Sequence, residues 1–211
     1  MGCVDLGEHD RPPAGLLLAA GGGRRMGGPK ALVRDQDGTP WVVRATRVLT
    51  AGGCDPVLVV VGAEAPAVAA VLADLPCAVV EATGWAEGMG ASLRAGLTEL
   101  ARRPATDAVL IAPVDVPGLS AALVRRIGAE TGRNSLARAV YDGRPGHPVL
   151  IGRDHWDGVL ENAAGDLGAR AYLDAHPPLE IECADLDDGT DVDTVDQLPA
   201  GHRPWHGTTP A

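Results

Sequence analysis

A chain of 211 residues with 45% apolar content can bury one substantial core but hardly two independent ones. With no Phe, two Tyr and much Ala, Val and Leu, that core must be aliphatic, which suits buried parallel strands under Ala-rich helices. The formal net charge of -10 excludes a broad nucleic-acid or anionic-membrane surface, so a polyanionic ligand must meet a local basic pocket.

In chain order, residues 1–13 read as a polar N-terminal tail without the basic start and apolar stretch of a signal peptide. The apolar run at 16–20 is far too short for a membrane span, and the chain is expected in the cytoplasm. Leu6 stands where myristoylation at Gly2 would want Ser or Thr. Residues 15–20 (GLLLAA) predict a first buried strand, which runs into GGGRRMGGPK. Thr39 then reads as an N-cap, with Pro40 at the first position of a helix that stops at Gly52-Gly53.

Strands are predicted at 56–61, 78–81 and 108–112, alternating with helices near 66–72 and at 90–103. Ser120 caps a helix running to about residue 130, and strands 136–141 and 148–151 form a hairpin through Asp142-Gly143. A helix at 167–175, a strand at 179–183 and a last helix at 193–198 follow, before a polar tail at 199–211. The alternation predicts an α/β fold with a mostly parallel sheet and a single domain over 14–198. Cys3, Cys54, Cys77 and Cys183 form no CxxC pair and read as free thiols.

The stretch 18–30, LAAGGGRRMGGPK, is the strongest functional signal. Glycines after a buried strand let backbone N–H groups approach phosphate oxygens, and Arg24, Arg25 and Lys30 supply cations in an acidic chain. A P-loop is set aside, because Pro29 precedes Lys30 and Ala31 follows it where a hydroxyl is needed. A dinucleotide-binding turn fits poorly too, since Met26 replaces the last glycine of GxGxxG. A non-catalytic module that holds a phosphorylated cofactor needs the basic loop but no metal-binding carboxylates, so carboxylates at strand ends discriminate.

Asp115 is such a carboxylate, following the buried strand AVLIA in a PVDVP turn. Open α/β sheets bind ligands at that edge, and Mg²⁺ beside phosphates takes one or two carboxylates. The plain alternative is a turn aspartate between prolines. In DLDDGTDVDTVD, at 185–196, Asp191 or Asp193 is placed to close a metal site, against a plain reading as solvated loop and cap.

The loop resembles the LAAGxxxRMGxPK signature of the MobA-like nucleotidyltransferases, closest to the molybdenum cofactor cytidylyltransferases. Further matches are WAEGMGASLRAGL at 85–97, PVDVP at 113–117, GRPGHPVLI at 143–151, GDLGAR at 165–170 and VDT at 192–194, where Val195 and Asp196 replace the family's Pro and Glu. The resemblance implies a doubly wound, Rossmann-like nucleotidyltransferase fold. It implies a nucleotide site lined by Leu18, Ala19, Ala20, Gly21, Gly22, Gly23, Arg24, Arg25 and Lys30, with Glu81, Gly88 and Ser92 near base and ribose. Arg25, Lys30 and Asp115 would be catalytic, Asp115 and Asp193 would bind Mg²⁺ or Mn²⁺, and Gly146, His147 and Pro148 would border the acceptor.

The implied donor is a nucleoside triphosphate, CTP, and the acceptor molybdopterin or molybdenum cofactor, with a molybdoenzyme as a partner that collects the product. Guanylyl transfer and transfer to a sugar phosphate or methylerythritol phosphate stay open at this point. His147 also fits a plain hydrogen-bonding turn, Met26 and Met89 fit packing, and Trp85 fits either ring stacking or the edge of the core.

Overall fold

The computed structural model describes residues 11–207. Seven strands form one sheet: β1 (Ala14–Leu18), β2 (Val57–Val61), β3 (Ala78–Glu81), β4 (Ala108–Pro113), β5 (Leu136–Tyr141), β6 (Arg144–Gly152) and β7 (Leu179–Glu182), in the order β3-β2-β1-β4-β6-β5-β7. The first four strands pair in parallel, β6 runs antiparallel to both β4 and β5, and β7 is parallel to β5. The sheet is therefore mixed α/β and mostly parallel. Every residue of β1, β2 and β4 is buried, because helices cover both faces of the sheet centre.

The period of two along each strand divides the core. Leu17, Val59 and Leu110 face α1 (Trp41–Ala51), α2 (Ala65–Leu72) and α4 (Ala121–Gly128). Leu16, Leu58 and Val109 face α3 (Met89–Ala101), α5 (Trp156–Asn162) and α6 (Arg170–Ala175). Trp156, almost fully buried in this second layer, donates its indole N–H to the Ile151 carbonyl at 3.0 Å.

Local chemistry accounts for most boundaries. Ser120 caps α4 by accepting from the Leu123 N–H at 3.3 Å. Asp142 and Gly143, at φ 51° and 72°, make the tight turn of the β5–β6 hairpin, and β6 starts well before residue 148 because Arg144 and Pro145 pair with Tyr141 and Val140 across that turn. The helix expected at 167–175 is split into a 3₁₀ turn, Gly165–Leu167, and α6, with Gly168 at φ 53° between them. The helix expected at 193–198 is only a 3₁₀ turn, Val195–Gln197, closed by a Thr194–Gln197 capping box. The helix α5 had no counterpart among the predicted elements.

Thr39 is not the cap of α1. Its N–H donates to Asp35 Oδ1 at 2.9 Å and Asp37 Oδ1 at 2.8 Å, and Pro40 takes the cap position without a side-chain bond. The segment from Pro199 to Gly207 is not a loose polar tail either. Arg203 exchanges backbone hydrogen bonds with Arg34 at 2.8 and 3.0 Å, and His202 Nδ1 accepts from Trp41 Nε1 at 3.0 Å. Trp205 covers Gly28 of the glycine-rich loop so closely that a Cβ there would lie 3.0 Å from its ring. Residues 1–10, with Gly2, Leu6 and Cys3, lie outside the described residues.

Candidate active site

The strand order puts the loops after β1 and β4 side by side at the carboxyl edge of the sheet, where β1 passes on one side to β2 and has β4 on the other. A cavity of about 600 Å³ opens there, the place where doubly wound sheets bind ligands. Its phosphate-sized floor is the glycine-rich loop. Gly23 sits at φ 56°, and any side chain there would strike the Gly28 carbonyl at 2.0 Å, so the loop closes on itself only with glycine at that position. Buried Met26 anchors the 3₁₀ turn Arg24–Met26 and leaves both arginines exposed toward the cavity.

Pro29 starts a second 3₁₀ turn, Lys30–Leu32, which aims Lys30 across the cavity. Its Nζ lies 2.8 Å from Asp115 Oδ2 and 2.5 Å from Asp193 Oδ1, while Arg25 reaches Asp193 Oδ2 at 3.0 Å. Backbone bonding fixes the carboxylates. The Val192 N–H donates to the Asp115 carbonyl at 2.9 Å, and the Asp193 N–H donates to Gln197 Oε1 at 2.8 Å. Burial works against the Lys30 charge, yet Asp115 and Asp193 outweigh it and raise its pKa above the ordinary value. The Lys30 hydrogen bond, helped by Arg25 and opposed by burial, holds Asp193 below the usual carboxylate range.

The opposite wall is less charged. Trp85 lies over Gly22 and Gly62, Gly88 and Ser92 flank the start of α3, and Asp166 leans against Gly88 from the turn Gly165–Leu167. Cationic Arg24, Arg25 and Lys30 are thus matched by Asp115, Asp166 and Asp193 around one cavity. A fully ionised triphosphate entering such a balanced site needs an added positive charge. Two carboxylates drawn to one ammonium beside a phosphate cradle suit a hard divalent ion that completes its shell with phosphate and water oxygens. No larger cluster of His, Cys, Asp and Glu converges among the described residues.

Leu18, Ala20, Gly21, Gly22, Gly23, Arg24, Arg25, Lys30, Gly88, Ser92, Asp115 and Asp193 therefore meet around the cavity. Five expected residues do not line it. Ala19 is in the core, with its N–H bonded to the Val60 carbonyl, because strand alternation turns its methyl away from the site. Glu81 ends edge strand β3 and points to solvent. Gly146, His147 and Pro148 lie along β6 outside the lining; the Tyr141 hydroxyl donates to the His147 carbonyl at 2.6 Å. The buried Nδ1 of His147 has no hydrogen-bond partner, and burial, opposed by the nearby Asp115 and Asp191 charges, lowers the imidazole pKa.

Asp166 was assigned no role from sequence, although the GDLGAR match contained it. Trp85 and Met89, given packing alternatives there, both line the cavity.

The profile of the MobA-like NTP transferase domain matches residues 15–180, most of the chain. The chain belongs to the MobA-like NTP transferase family. Membership places it among nucleotidyltransferases. This MobA-like chain is 38% identical over 204 residues to the nicotine blue oxidoreductase of Paenarthrobacter nicotinovorans, covering 92% of the chain and 98% of that protein. It is 28% identical to Rv0371c of Mycobacterium tuberculosis in a complex with manganese, with a TM-score of 0.67 and coverage of 88% and 95%. A nucleotidyl transferase from Methanothermobacter shares the fold, with a TM-score of 0.72 at 20% identity and coverage of 88% and 93%.

Proposed function

We propose that this MobA-like domain transfers CMP from CTP to a phosphorylated acceptor, molybdopterin or the molybdenum cofactor, and releases pyrophosphate in the cytoplasm. The observation that carries this reading is the convergence of Lys30, Asp115 and Asp193 at the mouth of the glycine-rich loop. The choice of CTP rests on the LAAG form of that loop and on Ala20, which lines the cavity. The choice of acceptor, and of a molybdoenzyme to receive the product, rests on the sequence resemblance alone. Among the described residues no helix is long and apolar enough to cross a membrane.

In this mechanism an acceptor phosphate oxygen attacks the α-phosphorus in line, and the bond to the bridging oxygen of pyrophosphate breaks. The attacking phosphate is already ionised, so no strong general base is required, and His147 with its lowered pKa stays neutral at pH 7. Loop N–H groups, Arg25 and Lys30 hold the two outer phosphates and take up the charge that moves onto them. Asp115 and Asp193 would hold Mg²⁺ or Mn²⁺, which when bound supplies further neutralisation of the phosphate oxygens.

The test is pyrophosphate release from CTP, GTP, ATP and UTP with a panel of phosphorylated acceptors, in Mg²⁺ and in EDTA. Wild-type protein should turn over CTP with the pterin acceptor only with metal. Asp115→Asn should lose roughly 10²-fold to 10³-fold in kcat, the scale set by removal of one electrostatic group at a reacting centre. Full activity in EDTA refutes the metal assignment, and GTP used as well as CTP refutes the cytidylyl branch.

A second reading is a redox activity, favoured by the 38% identity to a protein named nicotine blue oxidoreductase. The same cradle would then hold a dinucleotide's phosphates, which leaves the paired carboxylates without a task. Oxidation of reduced nicotinamide cofactor by the dye, with no pyrophosphate from any triphosphate, would decide for it.

A further inference from the structure

The Lys30 ammonium occupies the point where the two carboxylates of the cavity converge, 2.8 Å from Asp115 and 2.5 Å from Asp193. Those carboxylates come from separate connections, one after β4 and one after β7, and among the described residues Lys30 is the one cation bonded to both. All three side chains are largely shielded, at 14%, 22% and 32% exposure, so attraction among them is strong and repulsion between the carboxylates would be too. The locus therefore must hold positive charge whether or not a nucleotide is bound.

We propose that Lys30 is a tethered counter-cation that holds the metal locus in the nucleotide-free protein, so that a divalent ion enters only as triphosphate draws the lysine away. This rests on reading Asp115 and Asp193 as the metal carboxylates. A divalent ion arriving alone must displace an ammonium already held by two carboxylates, Asp115 and Asp193. With a triphosphate in the glycine-rich loop, Lys30 exchanges carboxylate oxygens for phosphate oxygens, and the vacated point, still flanked by two negative groups, accepts the ion. Metal and nucleotide then bind with positive and reciprocal coupling.

Binding of Mn²⁺, read as loss of the free-ion electron paramagnetic resonance signal beyond the loss that the same concentration of nucleotide analogue causes without protein, tests this without catalysis. Wild type, Lys30→Met, which keeps the stem and removes the charge, and Lys30→Arg, which keeps a cation, are titrated with and without a CTP analogue carrying a methylene bridge between the α- and β-phosphorus. Without nucleotide, Lys30→Met should bind Mn²⁺ about 10-fold tighter than wild type, within the usual range of coupling between sites. Lys30→Arg should resemble wild type, and wild type should tighten with the analogue whereas Lys30→Met gains less. Thermal melts of each variant establish that it is folded.

Apo affinity of Lys30→Met equal to or below that of wild type overturns the proposal, while the metal reading survives if Asp115→Asn abolishes Mn²⁺ binding with the analogue. If Asp115→Asn leaves all Mn²⁺ binding unchanged, the metal reading falls and takes this proposal with it.

Discussion

Replacing Gly88 by alanine tests how the cavity wall is built. Gly88 joins the turn Trp85–Glu87 to α3 at φ 118° and ψ -174°, a region that costs a residue with a side chain about 1–3 kcal/mol. The new Cβ would lie 2.6 Å from Asp166 Oδ1, 2.6 Å from the Gly165 carbonyl carbon and 2.7 Å from its oxygen. Two of those atoms are backbone, so relief requires the turn Gly165–Leu167 to move outward, adding about 1–3 kcal/mol of overpacking. Together the loss is about 2–6 kcal/mol. With a slope of about 2 kcal/mol per molar urea, the unfolding midpoint should fall by about 1–3 M.

Tryptophan fluorescence in urea reads the midpoint, and pyrophosphate release reads the nucleotide KM, which should rise as Asp166 is displaced from the wall. Gly21→Ala is the contrasting variant. Its Cβ meets nothing within 4 Å and the position lines the phosphate cradle, so stability should change by no more than about 0.5 kcal/mol while nucleotide affinity falls. A Gly88→Ala midpoint equal to that of wild type would refute the reasoning.

Asp193, held below the usual carboxylate range first by its hydrogen bond to Lys30, favours the folded state in its ionised form. That contribution is complete above the ordinary aspartate value near 4 and is lost as pH falls through the lower folded value. Asp193→Asn should therefore narrow the gap between urea midpoints measured at pH 7 and pH 3, and an unchanged gap counts against the pairing. Burial pushes the Cys54 thiol up to about 12. At pH 9 iodoacetamide should modify Cys54 far more slowly in native protein than in urea, and more slowly than half-buried Cys77, as read by peptide mass spectrometry. Equal native rates at the two sites would contradict the packing of Cys54 between β1 and α1.

Fold and site were legible where the signal is local. Apolar runs bounded by glycine and proline marked β1, β2 and β4, and Ser120 and Asp142-Gly143 marked a cap and a turn, since each acts on residues two to four positions away. What escaped depends on distant partners. The helix α5 carries only Trp156, Val159 and Leu160 on its apolar side within a short polar stretch, and its burial against Tyr172 and Leu173 supplies what the local pattern lacks. Glu81 was placed near the base by family resemblance alone, but it ends an edge strand, which sends alternate side chains into solvent. Asp193 stood out only weakly among the carboxylates of its loop. The choice becomes physical through Lys30, 163 positions earlier in the chain.

Pro199 to Gly207 reads from sequence as a polar tail, yet Trp205 packs on Gly28, and His202 and Arg203 bond Trp41 and Arg34. This gives the site an order of assembly. During synthesis the glycine-rich loop emerges long before residues 199–207, and helix α1 can form behind it from local contacts. The loop gains its covering tryptophan only after the chain through Trp205 has been made and the sheet has carried that segment back across it. Closing so long a span has an entropic cost that local structure cannot offset. The glycine-rich loop is thus specified well before the segment that completes it in folding.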